Sequence, residues 1–436
     1  MDEVGTAFAE ATSVCFDRAL HFDGLNSPLA EDPEGYLADW HASAVVRRLG
    51  APRLPSRHDR SSGVGGQTIE GERRTRVLVT TRKNANFLGE IREYLDQDPA
   101  IEQRFLDLAA FPRLNRFAGD LARTAAQILG DRPELRGILE RRVQPHLDWA
   151  DVVFVEWCLH QAVFVTMLDP RDTRVVVRLH SQELFTVWPH LVDFSRVDDV
   201  VFVSEHLREL AIVVIPALTG PNAPALHVIP NALKLQRFVR PKPAEARFNL
   251  GLIGWGHVAK DALWALDVIR ALRARDERYT LHLYGADFRR DFGAAAQEYG
   301  DRLMPVLEDL ERQGAVQRHG HSDDVPGVLE NIGVVLSSSV RESFHAAVVE
   351  GAASGAVPVV RDWPFFAGRP HGARTLFPVD WVVDTPEQAT ERVLATTADE
   401  DTWRRLGAEA SGHALAEFDW EVVKHRFDSL FLPRGA

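Results

Sequence analysis

The thirty residues from Asn331 to Val360, NIGVVLSSSVRESFHAAVVEGAASGAVPVV, limit what this chain can fold into more than any other stretch. Ile332 to Leu336 is a short apolar, β-branched run that stops at three serines, as a buried parallel strand does where it reaches a loop. Apolar and small residues then recur at 344, 347, 348, 351 and 352, one face of a helix. Gly355 and Pro358 end that helix before a second apolar run. Strand, loop, helix, turn and strand in this order belong to a βαβ unit.

The same alternation runs through the chain. Strands are expected at 76–81, 151–155, 174–179, 200–203 and 226–229, then at 249–254, 279–284 and 315–319, with a short one at 381–383. Helices are expected between them, near 86–96, 260–275, 289–313, 325–330, 386–397 and 400–416, and residues 101–147 read as two or three helices. Strands that alternate with helices build doubly wound parallel sheets, and 436 residues exceed what one core serves. The division expected is a helical extension and linker over 1–75, with helices at about 3–20 and 33–49, a first domain over 76–235, and a second over 246–416. The Pro-bearing stretch after Leu233 joins the two domains. The extension reads as a packing appendage to the first domain, with an oligomerisation or acceptor-side element as the sharper alternative.

Composition excludes several functions. A net charge of −13 argues against a general nucleic-acid binder. No apolar run approaches the roughly 18 residues of a spanning helix, and MDEVGTAFAE is too acidic for a signal peptide, so a cytoplasmic protein is expected. Two cysteines, Cys15 and Cys158, form neither a disulfide framework nor a zinc site. Five lysines, Lys83, Lys234, Lys242, Lys260 and Lys424, stand among 50 basic residues; genome composition is the bland cause, but their rarity makes each worth locating.

Around the opening stretch two carboxylates hold a fixed spacing. If helix extends from Glu342 to Glu350, they lie roughly 12 Å apart along its axis and about 80° apart around it. The amides of Ser343, Phe344 and His345 would then face an anion such as a phosphate. For an isolated pair at this spacing the plainer reading is that Glu342 caps its helix and Glu350 is an exposed helix acid. ESFHAAVVE, with its flanking serines and the G-A-V-P-V-V that follows, resembles the E-x7-E motif of retaining glycosyltransferases with two Rossmann-like domains, the GT-B class and its family 4 type. VIPNAL at 228–233 is similar to the segment that leaves that family's first domain, with Ala232 in place of glycine.

The resemblance implies two doubly wound α/β domains facing across a cleft, with the final helix, 417–436, packing back on the first. It implies transfer of a sugar from a nucleotide-sugar to an acceptor hydroxyl with retention, without metal or other cofactor. Glu342 would meet the donor sugar and Glu350 the ribose diol. Gly254, Gly256 and Lys260, with Arg341, Ser343, Phe344 and His345, would hold the diphosphate. His180, in RLHSQE after a first-domain strand, would approach the sugar, and Glu156 would border the acceptor. The acceptor is expected to be a carbohydrate, a lipid-linked molecule or a small molecule, in polysaccharide, glycolipid or glycoconjugate synthesis, and contact with the inner face of a membrane stays open. Besides Ala232, three departures from the family pattern stand out: Trp255 where an arginine is common, His345 for glycine and Gly351 for alanine. The acidic pairs 198–199 and 323–324 read as solvated rather than as a metal site.

Two other functions share these residues. GWGHVA at 254–259 satisfies G-x-G-x-x-A, the loop of an NAD-dependent oxidoreductase, although the acid expected at the end of the next strand is misplaced and Asp287 comes late. A non-catalytic nucleotide-sugar-binding protein on the same fold is the other. A glycine inside a helix costs up to about 1 kcal/mol against alanine, so Gly351 implies the close approach of a strand or of the nucleotide.

Overall fold

Val152 to Val155 is apolar at every position, and such a strand is stable only where both faces of its sheet are covered. The computed structural model, which describes residues 2–53, 74–130 and 133–431, provides that cover twice. The chain divides into two units, one of Met1–Asp17, Asp32–Ala232 and Lys424–Ala436, the other of Arg18–Glu31 and Leu233–Val423. Most of the expected linker, 55–74, falls outside the described residues.

In the first unit β1 (Thr75–Thr81), β2 (Ile101–Asp107), β3 (Val152–Glu156), β4 (Arg174–Leu179), β5 (Asp199–Phe202) and β6 (Ala225–Val228) form one parallel sheet in the order β2-β1-β3-β4-β5-β6. The second unit repeats the pattern with β7 (Asn249–Ile253), β8 (Thr280–Tyr284), β9 (Val316–Gly320), β10 (Val334–Ser337), β11 (Val357–Arg361) and β12 (Val382–Val383), in the order β12-β11-β10-β7-β8-β9. Both are doubly wound, as the alternation predicts. Helices Ala262–Arg273 and Ala294–Arg312 bury Leu266, Ile269, Leu303 and Leu307 in the core of the second.

Residues 101–107 form an edge strand, not helix; Glu102 and Arg104 point outward and disguise its period-two pattern, as charges on sheet edges do. The extension is broken up: Asp2–Cys15, Arg18–His21, Pro28–Glu31, Pro33–Ala42 and Ala44–Gly50 are separate helices. Ser43, at φ −63° and ψ 128°, ends one helix and begins the next. The first helix packs on Leu121–Leu129, where Gly5 meets the Ala122 carbonyl at a distance no Cβ would allow. The final helix expected over 417–436 is split: Trp420–Val423 lies in the second unit and His425–Phe431 in the first, where Arg174 donates to the Ser429 carbonyl. No described helix is long and apolar enough to cross a membrane.

Gly351 meets a strand. A Cβ added there would stand 2.7 Å from Cβ and from Cγ1 of Val335 on β10. Gly351→Ala recovers about 1 kcal/mol of helix propensity but overpacks a core contact that typically costs about 1–3 kcal/mol. A net loss of stability is expected in urea unfolding; a more stable variant would show that the helix and strand can part.

Candidate active site

The winding of the second sheet reverses between β10 and β7, and at such a switch point ligands bind outside the carboxyl ends of the two strands. The segments leaving those ends are 254–260 and 338–345. Gly254, at φ +78°, turns the chain out of β7, and Trp255 enters the core. Gly256 lies against the carbonyls of Ala286 and Asp287, where a Cβ would come within 2.5 Å. A 3-10 turn, Val258–Lys260, follows, and Asp261 at φ 41° and ψ 61° starts the helix Ala262–Arg273. That strained residue is braced, since its carboxylate accepts from the Tyr299 hydroxyl at 2.9 Å and from Arg361 Nη1 at 2.6 Å.

The two segments are tied together. Ser338 Oγ donates to the Lys260 carbonyl (2.6 Å) and the Val340 amide to the Ala259 carbonyl (2.9 Å). Lys260 Nζ therefore reaches Glu342 Oε1 at 2.5 Å, which also accepts from Ser339 Oγ at 2.7 Å. His345 Nε2 lies 3.6 Å from the same oxygen and 2.7 Å from Ser337 Oγ. Burial would raise the Glu342 carboxyl, but His345, Lys260 and the hydrogen bonds from Lys260 and Ser339 outweigh it and hold it at about 2. Burial pushes His345 down to about 4, so it is neutral at pH 7 and the standing charge partner of Glu342 is Lys260.

The helical ruler between Glu342 and Glu350 does not hold. His345 takes a left-handed conformation (φ 64°, ψ 61°) and the helix runs only over Ala346–Ala353. Glu342 and the amides of Ser343, Phe344 and His345 precede it, and the helix's first amides belong to Ala346 and Ala347. Phe344 is a core residue, edge-on to Phe418 at 5.3 Å. Glu350 sits half-buried within the helix. Arg341 lies over Phe22 (4.9 Å) and near Phe365 (5.8 Å), and burial lowers its guanidinium to about 10. The dinucleotide reading of GWGHVA fails on geometry, because the helix opens eight residues after Gly254 rather than on the loop, and Gly256 makes room for protein backbone.

The first unit holds a second cluster at the ends of β3 and β4. Arg178 Nε and Nη2 donate to the Glu156 carboxylate at 2.8 and 3.0 Å, both side chains fully buried. His180 Nε2 meets Glu156 Oε1 at 2.8 Å. The imidazole ring is 4.2 Å from Trp157 and 5.0 Å from Phe87, two residues that no motif singled out. Burial raises the Glu156 carboxyl, but Arg178 and then His180 bring it below the usual range; burial lowers His180 in turn. An ionised Glu156 and a neutral imidazole place the proton on Nε2 and leave Nδ1 a buried acceptor without a protein partner. Glu183 Oε1 accepts from the amides of His180 (3.0 Å) and Cys158 (3.2 Å), while its Oε2 has no partner. Asp198 and Asp199 are not solvated: both are buried, and Asp199 binds Arg174 and His227.

No protein-family model matches the chain, and no curated protein matches it in sequence. Solved structures match its fold. HepE of Anabaena in complex with UDP-glucose superposes with a TM-score of 0.58 at 16% identity, over 81% of this chain and 98% of that one. The UDP-forming α,α-trehalose-phosphate synthase of Burkholderia xenovorans gives 0.60 at 13% identity, over 82% and 98%. TarM gives 0.50 at 14%, over 64% of this chain, which spans only about half of TarM's length (54%). The likeness establishes the fold, two Rossmann-like units of the GT-B class.

Burial pushes the Glu183 carboxyl up to about 8. The folded protein therefore keeps a proton that the unfolded chain loses near pH 4.5, and stability falls as pH rises from about 4.5 to 8. Glu183→Gln should flatten that part of the melting-temperature profile and raise the melting temperature at pH 8.5. Unchanged pH dependence would mean that Glu183 is ionised in the fold.

Proposed function

We propose that the protein is a glycosyltransferase that moves a sugar from a nucleotide-sugar to an acceptor hydroxyl. The observation that carries this reading is the Lys260–Glu342 pair at the switch point of the second sheet, ahead of the helix Ala346–Ala353. A lone ion pair there would be unremarked structure. Here both partners keep some exposure, 26% and 13% of their side chains, and they stand where α/β sheets bind ligands.

In this reading the donor diphosphate takes Lys260 from Glu342. Negative charge grows on the diphosphate as the glycosidic bond breaks, and in this reading the ammonium and the first amides of the helix neutralise it. Glu342, its carboxyl held at about 2 while it is paired with Lys260, waits ionised and as an acceptor only. Released from Lys260, it accepts from the hydroxyls of the donor sugar. Glu350, from within the helix, takes the ribose diol. We assign the acceptor to the first unit, where the Nδ1 lone pair of His180 receives a hydrogen bond from a hydroxyl and Glu156 fixes the tautomer. Retention of configuration and transfer without a metal belong to this proposal. HepE holds UDP-glucose, which makes uridine diphosphate sugars the first donors to try.

Lys260→Ala should lower kcat/KM by roughly 10- to 100-fold, the worth of a charge-assisted hydrogen bond of about 1.5–3 kcal/mol. Activity within twofold of wild type would remove Lys260 from the diphosphate. Glu350→Gln should raise the donor KM, and Glu342→Gln should lower kcat, because only Glu342 touches the part of the donor that reacts. His180→Ala should keep nucleotide affinity by calorimetry and lose most turnover. Full activity in EDTA is expected, and its loss would place a metal in the mechanism. Nucleotide binding with no turnover on any acceptor would leave a binding protein instead.

A further inference from the structure

Residues 18–31 gain a place in the structure that sequence patterning withholds. Two helical turns, Arg18–His21 and Pro28–Glu31, frame a loop that belongs to the second unit although the chain on either side of it belongs to the first. The segment is seated rather than draped. His21, Ser27 and Leu29 are fully buried, with His21 Nδ1 2.8 Å from Ser27 Oγ. Leu25 packs on the core of the second unit, Arg369 donates to the Ala30 carbonyl, and Phe22 lies beneath Arg341.

This seating delivers Arg18 to the corner of the loop after β7. Its guanidinium is 4.2 Å from the Phe292 ring, and His257 stacks on that ring at 5.6 Å and 20°. The Arg289 amide donates to the Gly256 carbonyl on the same corner. Asp23 holds Arg18 in a two-point pair at 2.8 and 3.3 Å, with the carboxylate buried and Arg18 half exposed. Charges of Lys260, Arg18 and Arg341 all bear on His257, opposed by Asp23, and those of Glu342, Asp23 and Arg18 bear on Arg341. Lys260, Glu342, Arg341, Asp23 and Arg18 are thus one electrostatic neighbourhood. Its three cations exceed its two carboxylates. The loop after β7 carries no arginine; Arg289, from the loop after β8, also lies 4.2 Å from the Phe292 ring and is paired with Asp291.

We propose that Arg18, carried in by the N-terminal segment, is a donor-binding residue of the second unit that grips the diphosphate of the nucleotide-sugar at the Gly256–His257 corner. The inference rests on the nucleotide-sugar reading above. A guanidinium suits the task because its planar fork matches two phosphate oxygens at once, as it matches the two oxygens of Asp23 without ligand. Phe292 keeps the fork in place, and Asp23 holds it ready until phosphate oxygens replace the carboxylate. Lys260 then serves as the second cation on the same group.

The test is calorimetric titration of the full chain with UDP, GDP and ADP, and with uridine, guanosine and adenosine. Arg18→Ala should weaken the diphosphate that wild type binds by at least 10-fold and leave the matching nucleoside within twofold. Its diphosphate affinity should also depend less steeply on salt. Arg18→Gln, which keeps a hydrogen bond to Asp23, is the second variant should alanine disturb the seat, and the same thresholds apply. Diphosphate affinity within twofold of wild type overturns the proposal. Equal losses of diphosphate and nucleoside overturn it too, since the segment would then act only as packing. If wild type binds none of the three diphosphates, the nucleotide-sugar reading itself has failed and Arg18 loses its role with it.

Discussion

The pairing of β10 beside β7 governs the second unit, because the chain has already wound outward through β8 and β9 before it returns to the middle of the sheet. Two strands that enter a sheet from opposite windings send their following helices to opposite faces, and the loops between them are left with a crevice to line. Close approach of the strands depends on small residues. Gly251, paired with Val335, leaves space for the Ile332 side chain, which a Cβ would meet at 2.8 Å, and Gly333 lies against the Ala246 carbonyl. With that register set, Ser338 and Val340 fall opposite Lys260 and Ala259, and the Ser338 hydroxyl and the Val340 amide tie together the two segments that carry the Lys260–Glu342 pair.

A different economy operates in the first unit. Arg178 and Glu156 are both fully buried, where desolvating two charges offsets much of their attraction. The pair persists because hydrogen bonds use most of its capacity: Arg178 also donates to the Phe87 carbonyl, and Glu156 also meets His180. Buried pairs of this kind are weak contributors to net stability, but breaking one side leaves a stranded charge worth roughly 3–5 kcal/mol. They fix geometry more than they add stability. The consequence here is that the His180 ring, pinned by Glu156 and clasped by two aromatic rings, has one orientation and presents one free nitrogen.

Much of the fold was legible because parallel strands buried on both faces must be apolar throughout. Val152–Val155, Val175–Val177 and Val334–Leu336 announce themselves, and the helices between them carry apolar residues at helical spacing. Residues 101–107 escaped because an edge strand needs only half that apolarity and carries charge on its open side. The site was legible in composition and not in shape. Lys260, Glu342 and His345 do converge, but the helix expected to carry two carboxylates starts at Ala346, since His345 adopts a left-handed turn that nothing in a one-dimensional pattern marks. Trp157 and Phe87 are ordinary aromatic residues until β1 and β3 bring their loops together, with Trp157 Nε1 donating to the Asn84 carbonyl.

By itself, then, the sequence determined the class of fold, the doubly wound sheets and the residues with chemistry worth locating, because apolar periodicity is a local consequence of burial and strand ends are where such folds put polar groups. Tertiary structure alone decided which of those residues meet. The pairing of Lys260 with Glu342 spans 82 positions of sequence, and that of Arg178 with Glu156 spans 22. It also decided that Arg18–Glu31, between helices of the first unit, lies in the second. A short segment of mixed polarity has no periodicity that announces its partner; its burial depends on the surface of Leu25, Phe22 and Ala30 matching another surface, and shape complementarity is a property of two surfaces that no single stretch of sequence carries.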